Sequence, residues 1–354
     1  MISTSIHTMK TIRLLFAATL LGSSLASAQI VGPGFSGINR IPLPGLSDTV
    51  LACPFARPEA AAGRVLGAAD NVVTFKGAPG WSVNQFVTGG AVTDHFCLLV
   101  ASGAKEGAAY AITGNSSDSV TLDLDGDSLT DLAAGDRLSI VPHWTLATLF
   151  PSGAGVHVSP TPGERPSEVL FPNVNATGIN SSPIRTFYLW DGSWREVGQG
   201  EAIRDHEVVY PDTYFIVRHN IATATEFVSS GQVLAGKVMT WLGVNSAGKR
   251  DNFLALQRPI ATTLAASGLV ESGAFAPSPT PGVRTDELLV FDNTIARRNR
   301  APSATYYYWN NAWRKIGSGP ASFDDAPILE PGVGFIIRKG PAATAPTWTN
   351  SPNY

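Results

Sequence analysis

Apolar residues fall along this chain in short runs: NVVTF (71–75), HFCLLV (95–100), YAIT (110–113), SVTLDL (119–124) and RLSIV (137–141). Turns rich in Gly, Asn and Asp separate them roughly every ten residues, the spacing of a sandwich or small barrel. A sustained 3.6-residue apolar period is missing apart from the run at 14–25. The pattern predicts an all-β fold. Its expected N-terminal domain is a small β-barrel or sandwich over residues 29–140, followed by two tandemly duplicated β domains.

The duplication is written in the residues. FYLWDGSWREVGQG (187–200) returns as YYYWNNAWRKIGSG (306–319), with Trp190 matched by Trp309 and Trp194 by Trp313. SPTPG (159–163) recurs at 278–282, and YPDTYFIVR (210–218) answers EPGVGFIIR (330–338) after one inserted residue. Such self-similarity at a fixed period marks a repeat architecture. The copies are expected at 141–231 and 232–354, the second opening with a linker strand. A weaker echo joins LACPFARP (51–58) to FLALQRP (253–259), the wording of equivalent entry strands.

Each copy carries an aromatic hairpin. Asp191-Gly192 and Asn310-Asn311 are turn residues that tolerate positive φ. A three-residue loop would make Trp190 and Trp194 a cross-strand pair. Tyr188, Trp190, Trp194, Tyr308, Trp309 and Trp313 then have two readings. They are framework staples, or they are stacking platforms for sugars, since Trp and Tyr join an apolar face to a polar edge.

The start of the chain adds an address. From Met9, Lys10 and Arg13 precede the apolar run Leu14–Leu25, and Ala26-Ser27-Ala28 forms a small-residue cleavage site before Gln29. This is the layout of a secretory signal peptide, residues 1–28. No second run of membrane length follows, so no membrane span is expected in the mature chain. Only 15% of residues are charged, and the net charge is −3. That balance provides no field for nucleic acid, so none is expected as a partner. In an oxidising compartment Cys53 and Cys97 have two outcomes, a disulfide or a pair of buried thiols.

Candidate chemistry is sparse. Nucleophile-elbow, zinc-protease and phosphate-loop motifs are absent. The histidines are scattered, and the RDHE cluster (204–207) reads FDDA in the second copy. Asp123, Asp125, Asp127 and Asp131 have the alternate spacing of a calcium loop. Yet Ala134 stands where the closing carboxylate belongs, and strand alternation would split the acids between faces. The expectation is no cofactor, with calcium on that turn as the alternative to a solvated acidic loop.

SDTVLACPFARP, GAPGWSVNQFV, AGDRLSIVPHWTLATLFP, the first aromatic hairpin and PGVGFIIRK together resemble an uncharacterised secreted-protein family of Verrucomicrobia, one without an established activity. The resemblance spans nearly the whole mature chain and implies secretion and a whole-chain unit, not a reaction. ASGAKEGAAYAIT and AAGDRLSI are also similar to small β modules of phage tail and surface proteins, over the first domain only. Neither resemblance supplies a catalytic residue.

The functional expectation is therefore an exported, non-enzymatic β-repeat protein. Its role would be structural, display or assembly, at the cell envelope or outside the cell, with a protein or polysaccharide partner there. A polysaccharide-binding protein using the duplicated Trp/Tyr hairpin is the alternative. A secreted hydrolase with paired carboxylates is the third reading, because two distant acids leave no motif.

Overall fold

The computed structural model describes residues 29–31, 36–89 and 92–354. The expected signal peptide, residues 1–28, lies outside the described residues. The chain is almost wholly β. Among the described residues no helix is long and apolar enough to cross a membrane.

Six strands close into a barrel: Ala61–Ala69, Val72–Phe75, Phe96–Val100, Ala109–Asn115, Ser119–Asp123 and Arg137–Pro142. Alternation turns Val73, Leu98, Val120 and Ile140 into its interior, all fully buried. Register shifts between Val65 and Gly67 and between Ile112 and Gly114 bend the strands toward closure.

Each repeat is built on a five-stranded antiparallel sheet. In the first, the order is Ser193–Glu196, Arg185–Trp190, Ser167–Phe171, Phe215–His219, Asp48–Leu51. In the second it is Ala312–Lys315, Ala304–Trp309, Glu287–Val290, Phe335–Lys339, Arg250–Leu254. The orders match strand for strand, with Asp48–Leu51 standing where Arg250–Leu254 stands. A small antiparallel sheet closes each core: Gln29–Val31, Ser36–Leu43 and Thr225–Gln232 in the first, Val238–Trp241 with Thr347–Asn350 in the second. Phe227 and Trp348 fill the equivalent core positions under these small sheets.

This pairing divides the expected 29–140 unit. Residues 36–57 belong by hydrogen bonding to the first repeat, and the barrel is inserted into that repeat between Pro58 and Trp144. The second repeat crosses the same point with only Ile260-Ala261. Ala61 pairs with Ile140, so the barrel's two chain ends leave side by side. The expected 231/232 division also falls at the end of the Thr225–Gln232 strand, whose partner is Ser36–Leu43.

The two sheets pack outer face to outer face through Val50, Tyr214, Phe253, Leu289 and Ile336. The contacts are reciprocal. Arg218 holds Asp48 within the first sheet (2.7 Å), and Asn299 from the second repeat joins them, accepting from Arg218 and donating its N–H to Asp48. Arg338 holds Asp251 in the second sheet (2.7 Å), and Asn180 from the first repeat joins in the same way. Likewise Ala52 N–H donates to Gly332 O, and Ala255 N–H to Asp212 O. Contacts that exchange i for j in this way define a twofold arrangement; here both halves lie in one chain. Arg300 of the second repeat belongs to this lock, donating to Asp48 O (2.9 Å) and Ile295 O (2.7 Å).

Candidate functional site

The hairpins are tighter than a three-residue loop. Trp190 pairs with Ser193, and Asp191 and Gly192 both take positive φ (49° and 72°), the two-residue turn whose twist matches the strands. Asn310 and Asn311 repeat it. Leu189, not Trp190, therefore faces Trp194 across the ladder. Alternation sends Trp190 and Trp194 to opposite faces, so the expected cross-strand pair does not form.

Trp194 and Trp313 are core residues, each 2% exposed, against Phe150 (5.4 Å) and Phe275 (4.7 Å). Tyr308 turns inward with Trp313. The residue equivalent to Tyr188 is Tyr307, not Tyr308, as the match of Trp190 to Trp309 requires. On the outer face, Arg165 lies over Tyr188 and Arg195 over Trp190, each 5.7 Å from the ring. Arg284 over Tyr307 and Arg314 over Trp309 repeat this at 5.9 Å. Both tyrosines are buried beneath these guanidiniums, whereas Trp190 and Trp309 keep part of their surface. The expected platform of six rings reduces to two half-exposed indoles, one per repeat.

The four aspartates are not gathered. Asp127 accepts from Lys105 Nζ (2.7 Å) and Tyr110 OH (2.7 Å), and those bonds hold its carboxyl below the usual range despite partial burial. Asp123 and Asp131 are exposed. Among the described residues no three acidic, His or Cys side chains converge as a metal site.

Cys53 and Cys97 are separate free thiols, the second of the two outcomes, and not a disulfide. Cys53 sits in the first repeat's core and donates to Phe55 O (3.4 Å); Cys97 lies on the outer side of a barrel strand and donates to Val141 O (3.5 Å). Burial pushes both thiols up to about 12. In the RDHE cluster, Asp205 accepts from Trp194 N–H (2.7 Å), and Asp324 does the same for Trp313 (2.8 Å). Glu207 pairs with Arg185. That cluster is framework.

The insertion creates a feature that sequence reasoning missed. Where the barrel meets both repeats there is a cavity of about 200 Å³. Its apolar wall comes from Leu99, Ala109, Leu234, Val238 and Met239, its aromatic wall from Tyr110, Trp144, Tyr210 and Trp241. Its polar lining includes Arg57, His143, Tyr210, Asp212 and Gln257. Burial, reinforced by His95, presses the His143 imidazole down to about 4, so it is neutral at pH 7. Burial raises the Tyr210 phenol, with Glu207 and Asp212 adding to the effect. It also raises the Asp212 carboxyl, whose only side-chain donor is Thr213 (3.3 Å). Asp212 is the one carboxylate in the lining. Arg57, the one cation there, is held by Asp94 (2.6 Å) and His143 O (3.1 Å).

Comparison with family models, with curated proteins and with solved structures yields no match to this chain.

Proposed function

We propose that this is an exported, non-enzymatic display protein: a duplicated β scaffold that presents the inserted barrel at the cell envelope or outside the cell. The observation that carries the reading is the insertion itself. The barrel enters and leaves the first repeat through adjacent strands, at a point the second repeat spans with two residues. A module attached in this way can vary without disturbing its base. The base is a rigid pair, since each repeat hydrogen-bonds a loop of the other beside a buried Asp–Arg pair. The N-terminal address read from residues 9–28 supports export.

The test replaces residues 59–143 with the Ile-Ala step of the second repeat and follows both proteins by cell fractionation and surface cross-linking. The expected result is a folded, exported scaffold that loses the cross-linked neighbours of the full chain. An excised protein that keeps every neighbour would defeat the display reading, and retention of the full chain in the cytoplasm would defeat export.

Trp190 and Trp309 favour a second reading, polysaccharide binding. Both half-exposed rings lie on outer sheet faces, and two sites on one rigid body add avidity for a polymer. Their replacement by Ala, alone and together, is expected to release the protein from a retaining insoluble polysaccharide without loss of the circular dichroism spectrum. Unchanged retention of the double variant would remove this reading.

A further inference from the structure

The junction cavity is the place where the two repeats differ most in chemistry. The turns Pro211-Asp212 and Pro331-Gly332 are equivalent, since each gives its carbonyl to the other repeat's entry strand. In the second copy the position is filled tightly. Gly332 has φ +76°, and a Cβ there would collide with Asn39 Nδ2 and Ile41 Cδ1. In the first copy the same position carries a carboxylate and opens into the cavity. Asp212 is partly buried there, and a carboxylate drawn out of water without a cation is normally paired or neutralised. Among the described residues no cation is paired with Asp212: Arg57, in the same lining, is committed to Asp94 (2.6 Å).

The groups around it fit one ligand chemistry. Gln257 is 8% exposed, and its amide has no hydrogen-bond partner among the described residues. Neither the His143 ring nor the Tyr210 hydroxyl has a hydrogen-bond partner among them. Three acceptors therefore line the cavity beside His143 and Arg57: the Asp212 carboxylate, the Gln257 carbonyl and the oxygen of Tyr210, an exposed ring at its rim. Of its aromatic walls, Trp144 already has Arg57 over its ring (6.0 Å) and Tyr110 has Lys105 (5.9 Å), while the exposed Trp241 offers a further face that attracts cations. A cavity of about 150 Å³ holds benzene, so about 200 Å³ admits a molecule of roughly eight non-hydrogen atoms.

We infer that this cavity binds a small primary amine with an apolar or aromatic body, its ammonium on Asp212 and its body between Tyr110, Trp144 and Trp241. Asp212 confers the charge selectivity, Gln257 and Tyr210 take the remaining ammonium hydrogens, and neutral His143 leaves the site free of competing positive charge.

Benzylamine is the probe, with benzyl alcohol and benzoate as the neutral and anionic comparisons, titrated calorimetrically at neutral pH into the purified protein. The expected result is saturable 1:1 binding of benzylamine, with both comparison ligands at least tenfold weaker. Asp212→Asn is expected to weaken benzylamine at least tenfold and to leave benzyl alcohol unchanged. Asp212→Gly, which carries the second repeat's residue, provides a second variant should the first not fold. Absence of saturable benzylamine binding to folded protein, equal binding by the Asp212 variants, or a preference for benzoate would each overturn the assignment.

Discussion

Ser167 and His219 in the first repeat occupy the positions of Asp286 and Lys339 in the second. Ser167 Oγ meets His219 Nδ1 at 2.8 Å and accepts the His157 N–H at 2.9 Å. Asp286 bonds Lys339 Nζ and accepts the Ala276 N–H at 2.7 Å. The shared backbone need is a buried acceptor for the N–H of His157 or Ala276 and a buried group for that acceptor to hold; Asp286 takes the Gly340 N–H as well (2.7 Å). One copy meets it with a neutral pair, the other with an ion pair. Duplicated folds therefore retain hydrogen-bond satisfaction at a site while its charge is free to change, because an orphaned buried polar atom is penalised in either chemistry.

The sharpest way to break this equivalence is to remove one partner in each copy. Lys339→Ala leaves Asp286 buried and is expected to cost about 3–5 kcal/mol. His219→Ala leaves the Ser167 and Thr225 hydroxyls without the ring nitrogens they meet, about 1–3 kcal/mol. Urea unfolding of both variants checks the order; equal costs would show that the charges do not matter.

The twofold contact offers the next test. Tyr214 and Gly334 are equivalent, and a twofold contact has no room for two rings. Tyr214 packs edge-on to Phe253 (5.8 Å) and Phe291 (6.0 Å), and a Cβ on Gly334 would meet Tyr214 Cγ at 2.6 Å. Gly334→Ala is expected to destabilise by about 1–3 kcal/mol through overpacking. The closest atom is Tyr214 Cβ, so Tyr214→Gly in the same chain should relieve the clash, and the double variant should cost less than the sum, as a double-mutant cycle would show.

Acid distinguishes the copies more gently. Every histidine of the chain precedes residue 220, so the second repeat has none. Burial, with His157 beside it, presses His219 down to about 4 from an ordinary 6.5. The unfolded chain then binds the proton first, so this contribution is complete above pH 6.5 and is lost as pH falls toward 4. After allowance for solvent screening, the expected loss from His219 is roughly 1 kcal/mol. His143 acts in the same direction. Converting the first pair to the second with Ser167→Asp and His219→Lys should flatten the fall in Tm between pH 6.5 and 4. An unchanged slope would place the acid sensitivity elsewhere.

Much of the scaffold was legible in the residues. The duplication, the hairpin turns at Asp191-Gly192 and Asn310-Asn311, and the echo of residues 51–58 in 253–259 all follow from local chemistry and spacing. The face of each aromatic ring was not legible, because one residue of loop length inverts it. Reading two residues rather than three at the turn moves Trp194 from a platform to the core. The junction cavity left no signal at all. Its lining comes from residues 55 to 257, and no motif joins Tyr210, Asp212 and Gln257.

By itself the sequence determined an all-β chain with an internal copy, since turn residues and short apolar runs act over a few positions. Tertiary structure decided which strand completes which sheet. Asp48–Leu51 pairs with Phe215–His219 across the whole barrel, and backbone hydrogen bonds carry no residue label that could announce it. That pairing makes the barrel an insertion, and the insertion sets Asp212 in an aromatic cavity while its equivalent, Gly332, is packed shut.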